Sequence, residues 1–398
     1  MKIIVQKFGG TSVCTKERRN LAIKKVIECI QKGYKPVVVV SAMGRKGEPY
    51  ATDSLLSLVD EDFKKNNRQG TDLLMSCGEI ISSVIFSSEL SKLGYKSVPL
   101  IGGQAGLITN EDFGNAEVIK ADTSRIMELL KSSFIPVITG FQGISENGYI
   151  TTLGRGGSDT SAAIIGGALG ADEVEIYTDV DGIMTADPRI VSNASLIRRI
   201  SYNEIFQLAD QGAKVIHPRA VEAAMKYNVK LSIKNTLNDH EGTQITNSIF
   251  TDANKIVTGI TFMSERVQIK IIYEKNKENQ NYDNILDLLG ENNISIDLIN
   301  VFPHEKIFTI DDKDKDSVYS LLQKFKLNFS TEEECSKIAI IGSGMKGVPG
   351  VMARILKRLR IEEIDVLQTA DSHMTIWCLV KSTNTEKAIL SLHEEFGL

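Results

Sequence analysis

The chain has 398 residues, 42% of them hydrophobic, enough for roughly two to three domains with ordinary buried cores. Its 46 basic and 51 acidic residues give a net charge of -5 without a long basic run, which removes the electrostatic footprint of a nucleic-acid or anionic-membrane binder and leaves a small molecule as the expected partner. Cys14, Cys29, Cys77, Cys335 and Cys378 show no C-x-x-C spacing and the five histidines no H-x-x-x-H, so neither a disulfide scaffold nor a zinc site is supported.

The N-terminal MKIIVQKFGG is strand-like rather than the apolar core of a signal peptide, and no later apolar run is read as membrane-spanning, so a cytoplasmic protein without membrane contact is expected. From residue 1 to 235 strand-like runs alternate with helical patterns: KIIVQKF, a helix over 16–32, KPVVVVSA, a helix over 71–93, KSVPLIG, a helix over 122–132, FIPVITGF, a helix over 158–169, VEIYTDV, helices over 203–209 and 217–227, and KLSIKNT. That alternation predicts an α/β domain whose mainly parallel sheet is covered by helices on both faces. Residues 236–256 are polar and weakly periodic and read as a linker.

A repeat follows. VQIKIIY (267–273) corresponds to SKIAIIG (336–342), YDNILDLLGENN to PGVMARILKRLR, IDLI (296–299) to IDVL (364–367), and KDSVYSLLQKF to TEKAILSLHEEF. Each copy reads as a ferredoxin-like βαββαβ unit, giving small domains over 257–332 and 333–398.

In the second copy, Gly342-Ser-Gly344-Met-Lys-Gly347 reproduces the dinucleotide-binding spacing G-x-G-x-x-G after an apolar run and before a helical pattern, with Asp371 at the expected remove. Such a site needs a βαβαβ half. Only one helix, two short runs and a last helix follow here, and the first copy lacks the glycines, so NAD is not expected. A tight turn and a ligand contact confined to the second copy both stay open.

Several strand-end motifs of the first domain carry chemistry. KFGGTS (7–12) can bring backbone N–H groups toward an anion with Lys7 supplying charge. In TLGRGGSDTSAA (152–163) the glycines open a helix, and Arg155 among them suits bidentate recognition of carboxylate or phosphate. YTDVDGIMTADPR (177–189) lies at the carboxyl edge where open α/β sheets bind ligands. MSCGE (75–79) puts Glu79 in an apolar helical pattern, and ATDSLL (51–56) puts Thr52 and Asp53 at a helix start. The arginine among glycines favours an anion site by itself, whereas each of the others alone reads more readily as structure. Five together at strand ends point to one site.

With KFGGTS, VVVVSAMG, TDSLL, SCGE, GFQG, GRGGSDTSA, TDVDGIMTADPR and GAKVIHPRA, the chain resembles end to end the aspartokinases of the amino-acid-kinase family, and in MKGVPG and TADSHMTIW their diaminopimelate-sensitive members from spore-forming bacteria. The resemblance implies an amino-acid-kinase three-layer sandwich followed by two ACT domains, with 255–262 supplying a strand of the second. It implies phosphorylation of L-aspartate by ATP to 4-phospho-L-aspartate, feedback control by lysine, diaminopimelate or threonine, and a homodimer or higher oligomer through the ACT domains. A kinase for another amino acid such as glutamate, or a catalytically silent amino-acid sensor, is the alternative.

Position by position, the resemblance implies that Lys7, Phe8, Gly9, Gly10 and Ser41 hold the ATP phosphates, and that Thr178, Asp179, Met184, Arg189, Lys214 and Val215 line the adenosine and triphosphate side. Thr52, Glu79, Arg155, Gly156, Gly157 and Ser158 would hold aspartate, Arg155 gripping the α-carboxylate and Glu79 the ammonium. Asp159 would organise Lys7. Mg²⁺ would be held through the ATP phosphates with no metal-ligating residue, and Asn281, Asp283, Met345 and Val348 would face the effector. The nucleophile is a carboxylate already ionised at neutral pH, so no general base is required.

Overall fold

The computed structural model describes residues 1–213, 215–247, 256–273, 282 and 284–398. They divide into two compact units, the first comprising Met1–Ile183, Leu196–Asp210 and Lys214–Phe250, the second Met184–Ser195, Gln211–Ala213 and Thr251–Leu398.

The first unit holds, in chain order, β1 (Ile3–Phe8), α1 (Gly10–Val13), α2 (Lys16–Gln31), β2 (Lys35–Val40), α3 (Thr52–Leu56), α4 (Glu61–Asn66), α5 (Arg68–Lys92), β3 (Ser97–Leu100), β4 (Leu107–Thr109), β5 (Val118–Ala121), α6 (Ser124–Lys131), β6 (Ile135–Thr139), β7 (Gln142–Ser145), β8 (Ile150–Thr152), α7 (Gly157–Leu169), β9 (Glu173–Thr178), β10 (Arg199–Ser201), α8 (Tyr202–Asp210), α9 (Pro218–Tyr227), β11 (Leu231–Asn235) and β12 (Thr243–Thr246). Eight strands form one sheet in the order β10-β12-β11-β9-β1-β2-β6-β3. Its neighbours are parallel except β11 and β12. A smaller sheet has the order β5-β4-β7-β8.

Strands β1 and β2 read as near-continuous apolar runs because helices cover both of their faces. Phe8, Val38, Val40, Val137 and Tyr177 pack on one face with Ala22, Ile23 and Val26 of α2 and with Phe86 and Leu90 of α5. On the other face α7 comes so close that a Cβ at Gly166 would stand 2.2 Å from Val174 Cγ2. Alternation along β1 puts Lys7 on this α7 side with Val5, opposite Phe8. Capping fixes the helix starts: Thr15 Oγ1 accepts the Arg18 N–H, Asn67 Oδ1 accepts the Gly70 N–H, and Pro218 opens α9.

Helix α5 is long and apolar enough to cross a membrane, unlike the sequence expectation, and half of its most apolar window is buried inside the unit. The 236–256 stretch read as a linker contains β12, which pairs with β10 and β11 and so belongs to the main sheet.

The second unit contains β13 (Gly259–Ile272), α10 (Ile285–Glu291), β14 (Asp297–Phe302), β15 (Glu305–Asp311), α11 (Lys315–Lys324), β16 (Asn328–Ile341), α12 (Val351–Ile361), β17 (Gln368–Asp371), β18 (Thr375–Lys381) and α13 (Thr385–Phe396). One antiparallel sheet runs β14-β15-β13-β16-β18-β17. The two 14-residue strands β13 and β16 are shared by both halves, with register shifts between Met263 and Gln268. Beyond the shift, Val267, Ile269 and Ile271 pack with Ile285, Leu289, Val318 and Leu322. Before it, Ile260 joins Val257, Ile338, Ile340, Ile355, Leu359, Ile389 and Leu392 in a second core. The segment 257–263 therefore packs with the C-terminal copy.

Ala186 and Val191 also sit in that core. Thr185 secures their segment: its carbonyl accepts the Ile260 N–H at 2.8 Å and its Oγ1 lies 2.9 Å from His393 Nε2. A boundary drawn at residue 235 thus misses that Met184–Ser195 packs with the C-terminal unit.

Candidate active site

The carboxyl ends of β1, β2, β6 and β9 lie side by side in the main sheet, where an open α/β fold forms its ligand crevice. A cavity of about 270 Å³ opens there, lined by Lys7 and Gly10 after β1, Ser41 after β2, Thr52, Glu79 of α5, and the run Gly154–Asp159. It brings together most of the residues expected to meet aspartate and the phosphates.

Lys7 Nζ lies 2.6 Å from Asp159 Oδ1, and both side chains are nearly withdrawn from solvent. Asp159 stands in the first turn of α7, facing the Lys7 side of β1. Beyond this ion pair Asp159 Oδ1 has no hydrogen-bond partner.

Glu79 is 2% exposed. Its Oε1 accepts the Ala42 N–H at 3.0 Å, while its buried Oε2 has no hydrogen-bond partner. Burial pushes its carboxyl up to about 8, against the pull of the Ala42 hydrogen bond. A carboxylate oxygen withdrawn from water without a donor fits a ligand ammonium. Arg155, exposed and lining the same cavity, supplies the opposite charge.

Two glycines shape the walls. A Cβ at Gly10 would stand 2.8 Å from the carbonyl oxygens of both Ala42 and Gly44. Gly156 has φ 73°, and a Cβ there would stand 2.2 Å from His217 Cβ. His217, quoted in GAKVIHPRA but given no role by the sequence, caps α9, and burial followed by the Arg219 charge lowers its imidazole from the usual range.

The remaining expected residues stand elsewhere. Phe8 is fully buried between Phe86 and Tyr177, so only its backbone faces the crevice region. The Gly9 N–H is engaged by the Tyr177 carbonyl at 3.1 Å. Thr178 Oγ1 donates to Asp179 Oδ1, and Asp179 pairs with Arg45 at 2.7 Å. Met184 and Arg189 belong to the second unit, where Arg189 is held by both oxygens of Asp187. Val215 lies in the turn before α9, and Lys214 is outside the described residues.

Of the expected effector residues, Asn281 and Asp283 are also outside the described residues, Met345 is buried in the second core, and Val348 is exposed. Two of the fingerprint glycines there have structural reasons: a Cβ at Gly342 would stand 2.4 Å from Ile256 O, and Gly347 adopts φ 76°. The preceding strand pairs antiparallel with both neighbours, which is no dinucleotide-binding half.

Among the described residues no three His, Cys, Asp or Glu side chains converge on a metal position. A divalent ion arriving on a triphosphate keeps phosphate and water ligands. Asp159, paired with Lys7 on the cavity wall, offers a carboxylate in keeping with that arrangement. Ala42, Gly44 and Phe141 line the cavity without having been singled out, although all lie inside the motifs VVVVSAMG and GFQG.

The amino acid kinase family signature matches residues 2–235 and an ACT domain signature residues 330–394. The chain is 43% identical over 403 residues to aspartokinase 1 of Bacillus subtilis (strain 168), covering 100% of both. It is 38% identical over 404 residues to the aspartokinase of Geobacillus stearothermophilus, covering 100% of this chain and 98% of that one. Among solved structures, the fold superposes with a TM-score of 0.80 on Escherichia coli aspartokinase III in complex with aspartate and ADP, at 24% identity and 100% coverage of both chains.

Proposed function

The chain belongs to the aspartokinases of the amino acid kinase family, and from that premise we propose that it transfers the γ-phosphoryl group of ATP to the side-chain carboxylate of L-aspartate, with feedback control through its ACT domains. The supporting observation is one cavity that holds a lysine–carboxylate pair, an unpartnered buried carboxylate oxygen and an exposed arginine.

In this reading Glu79 Oε2 takes the substrate ammonium and Arg155 its α-carboxylate, with Thr52 and Gly156–Ser158 along the walls. The remaining carboxylate then points toward Lys7. One of its oxygens attacks the γ-phosphorus, the bond from that phosphorus to the β,γ-bridging oxygen breaks, and the electron pair leaves on ADP. Lys7 and the glycine-loop backbone at Gly10 stabilise charge on the transferring group, with Ser41 beside it, which is the main demand of phosphoryl transfer. Asp159 keeps Lys7 aimed. Mg²⁺ bound to ATP neutralises phosphate charge when present.

Thr178, Asp179, Met184, Arg189, Lys214 and Val215 are assigned to the nucleotide side. For Asp179 that requires release or sharing of Arg45. Phe8 and Gly9 serve as framework beneath the phosphates. The proposal extends to a cytoplasmic homodimer or higher oligomer and to lysine, diaminopimelate or threonine as effector near Asn281, Asp283, Met345 and Val348, with Met345 acting through its backbone.

The test is ADP release with MgATP and L-aspartate or L-glutamate. Aspartate-dependent turnover that falls with an end-product amino acid is expected, and none with pure protein refutes the reading. Arg155→Ala should raise the KM for aspartate far more than that for ATP.

A further inference from the structure

Helix α5 carries a second buried carboxylate. Asp72 lies seven residues before Glu79, two turns away on the same helix face. It is 1% exposed, yet none of its side-chain hydrogen bonds is to its own helix. Its Oδ2 accepts the N–H of Thr152 at 2.7 Å and of Gly114 at 3.0 Å, and its Oδ1 accepts the Thr152 hydroxyl at 2.9 Å.

Both tied residues bear on the arginine loop. Thr152 ends β8 and is followed by Leu153, Gly154 and Arg155. Gly114 and Asn115 press on Gly154, where a Cβ would stand 3.0 Å from Gly114 O and 3.1 Å from Asn115 Oδ1. One turn further along the same face, the Ser76 carbonyl accepts Gln142 Nε2 at 3.1 Å, next to Phe141 of the cavity wall. Positions 72, 76 and 79 thus hold the arginine loop, the Phe141 loop and the ammonium acceptor on one rigid rail.

We propose that Asp72 is a positioning residue that sets where the Arg155 loop stands relative to Glu79, and so decides which amino-acid chain length places its terminal carboxylate at Lys7. The inference rests on the aspartokinase reading. Ammonium and α-carboxylate branch from the same carbon, so the distance between their two anchors fixes that carbon. The carboxylate at the far end then either meets the phosphoryl group or overshoots it by one methylene. A carboxylate suits the task because it accepts from all three donors at once through charge-assisted bonds, whereas an asparagine would hold the two N–H groups on one neutral oxygen by weaker bonds and turn its NH₂ to the Thr152 hydroxyl.

The experiment compares wild type, Asp72→Asn and Thr152→Val in full-length protein. Asp72→Asn should lower kcat/KM for aspartate by about tenfold to a hundredfold through misplacement of the loop. The KM for ATP should stay within about twofold, and the preference for aspartate over glutamate should shrink. Thr152→Val, which removes one of three donors, should give a smaller change in the same direction, and it stands in if the asparagine variant does not fold. Equal rises in both KM values, or unchanged kinetics with only a lower Tm, overturn the proposal.

Amide hydrogen exchange over residues 152–157, without substrate, reads the tie by itself. Faster exchange in Asp72→Asn is expected, and unchanged protection overturns the proposal. Wild-type protein that releases no ADP with aspartate refutes the functional reading instead, and the exchange result still decides the tie.

Discussion

Lys7 at the end of β1 and Asp159 in the first turn of α7 form a 2.6 Å ion pair with side-chain exposures of 10% and 13%. Removing either partner leaves a charge with little water to compensate it. Lys7→Met and Asp159→Asn should each lower kcat by about 10²–10³-fold, the scale of losing one charge-stabilising group. Because the two act as a unit, the double variant should be scarcely worse than Lys7→Met. Initial rates of ADP release check this, and multiplicative losses would show that the two act independently.

Glu79 makes the chain sensitive to pH. Its carboxyl is raised by burial from its ordinary value of 4.5 to about 8. Between those values the folded chain keeps a proton that the unfolded chain has released, so stability falls as pH rises through this window and levels off above it. Calorimetry should find Tm declining from pH 5 to pH 8, less steeply in Glu79→Gln. A ligand ammonium favours the ionised form, so the KM for aspartate should fall as pH approaches about 8. A glutamine variant with the wild-type KM profile would remove Glu79 from that role.

The glycine walls should tolerate no methyl group. At Gly10 the added carbon meets two backbone oxygens at 2.8 Å, and backbone cannot rotate away as a side chain does. Gly10→Ala should therefore cost about 1–3 kcal/mol of stability and raise the KM for ATP more than that for aspartate. Gly156→Ala adds the strain of φ 73° to a clash with His217 and should be at least as damaging. Thermal unfolding and paired KM measurements report both. Wild-type behaviour in either variant would mean that the loop yields.

Much of this site is legible in the sequence because its residues fall in short loops between strand and helix patterns, where glycine, arginine and acids stand out. Gly10 and Arg155 could be named for that reason, Lys7 because it stands at a strand end just before paired glycines, and Glu79 because it is an acid in an apolar helical pattern. Asp72 could not: in TDLLMSCGE it reads as an ordinary polar residue on a helix, and its partners Gly114 and Thr152 lie 42 and 80 residues away. The Arg45–Asp179 pair spans 134 residues and is equally invisible. Strand β12 hides because four residues, TQIT, are too few for a period to show. Met184–Ser195 enters the second core through few apolar side chains, among them Ala186 and Val191, which a pattern search reads as loop.

The shared strands β13 and β16 constrain the engineering of this chain. Each runs 14 residues through both ACT halves, so neither half owns a complete sheet. A cut anywhere in 273–327 strips one half of a central strand and leaves the other with an open edge, an invitation to pair with foreign chains. The two halves can therefore be transplanted or truncated only together, and a chimaera joined between them should aggregate rather than fold as a single ACT unit.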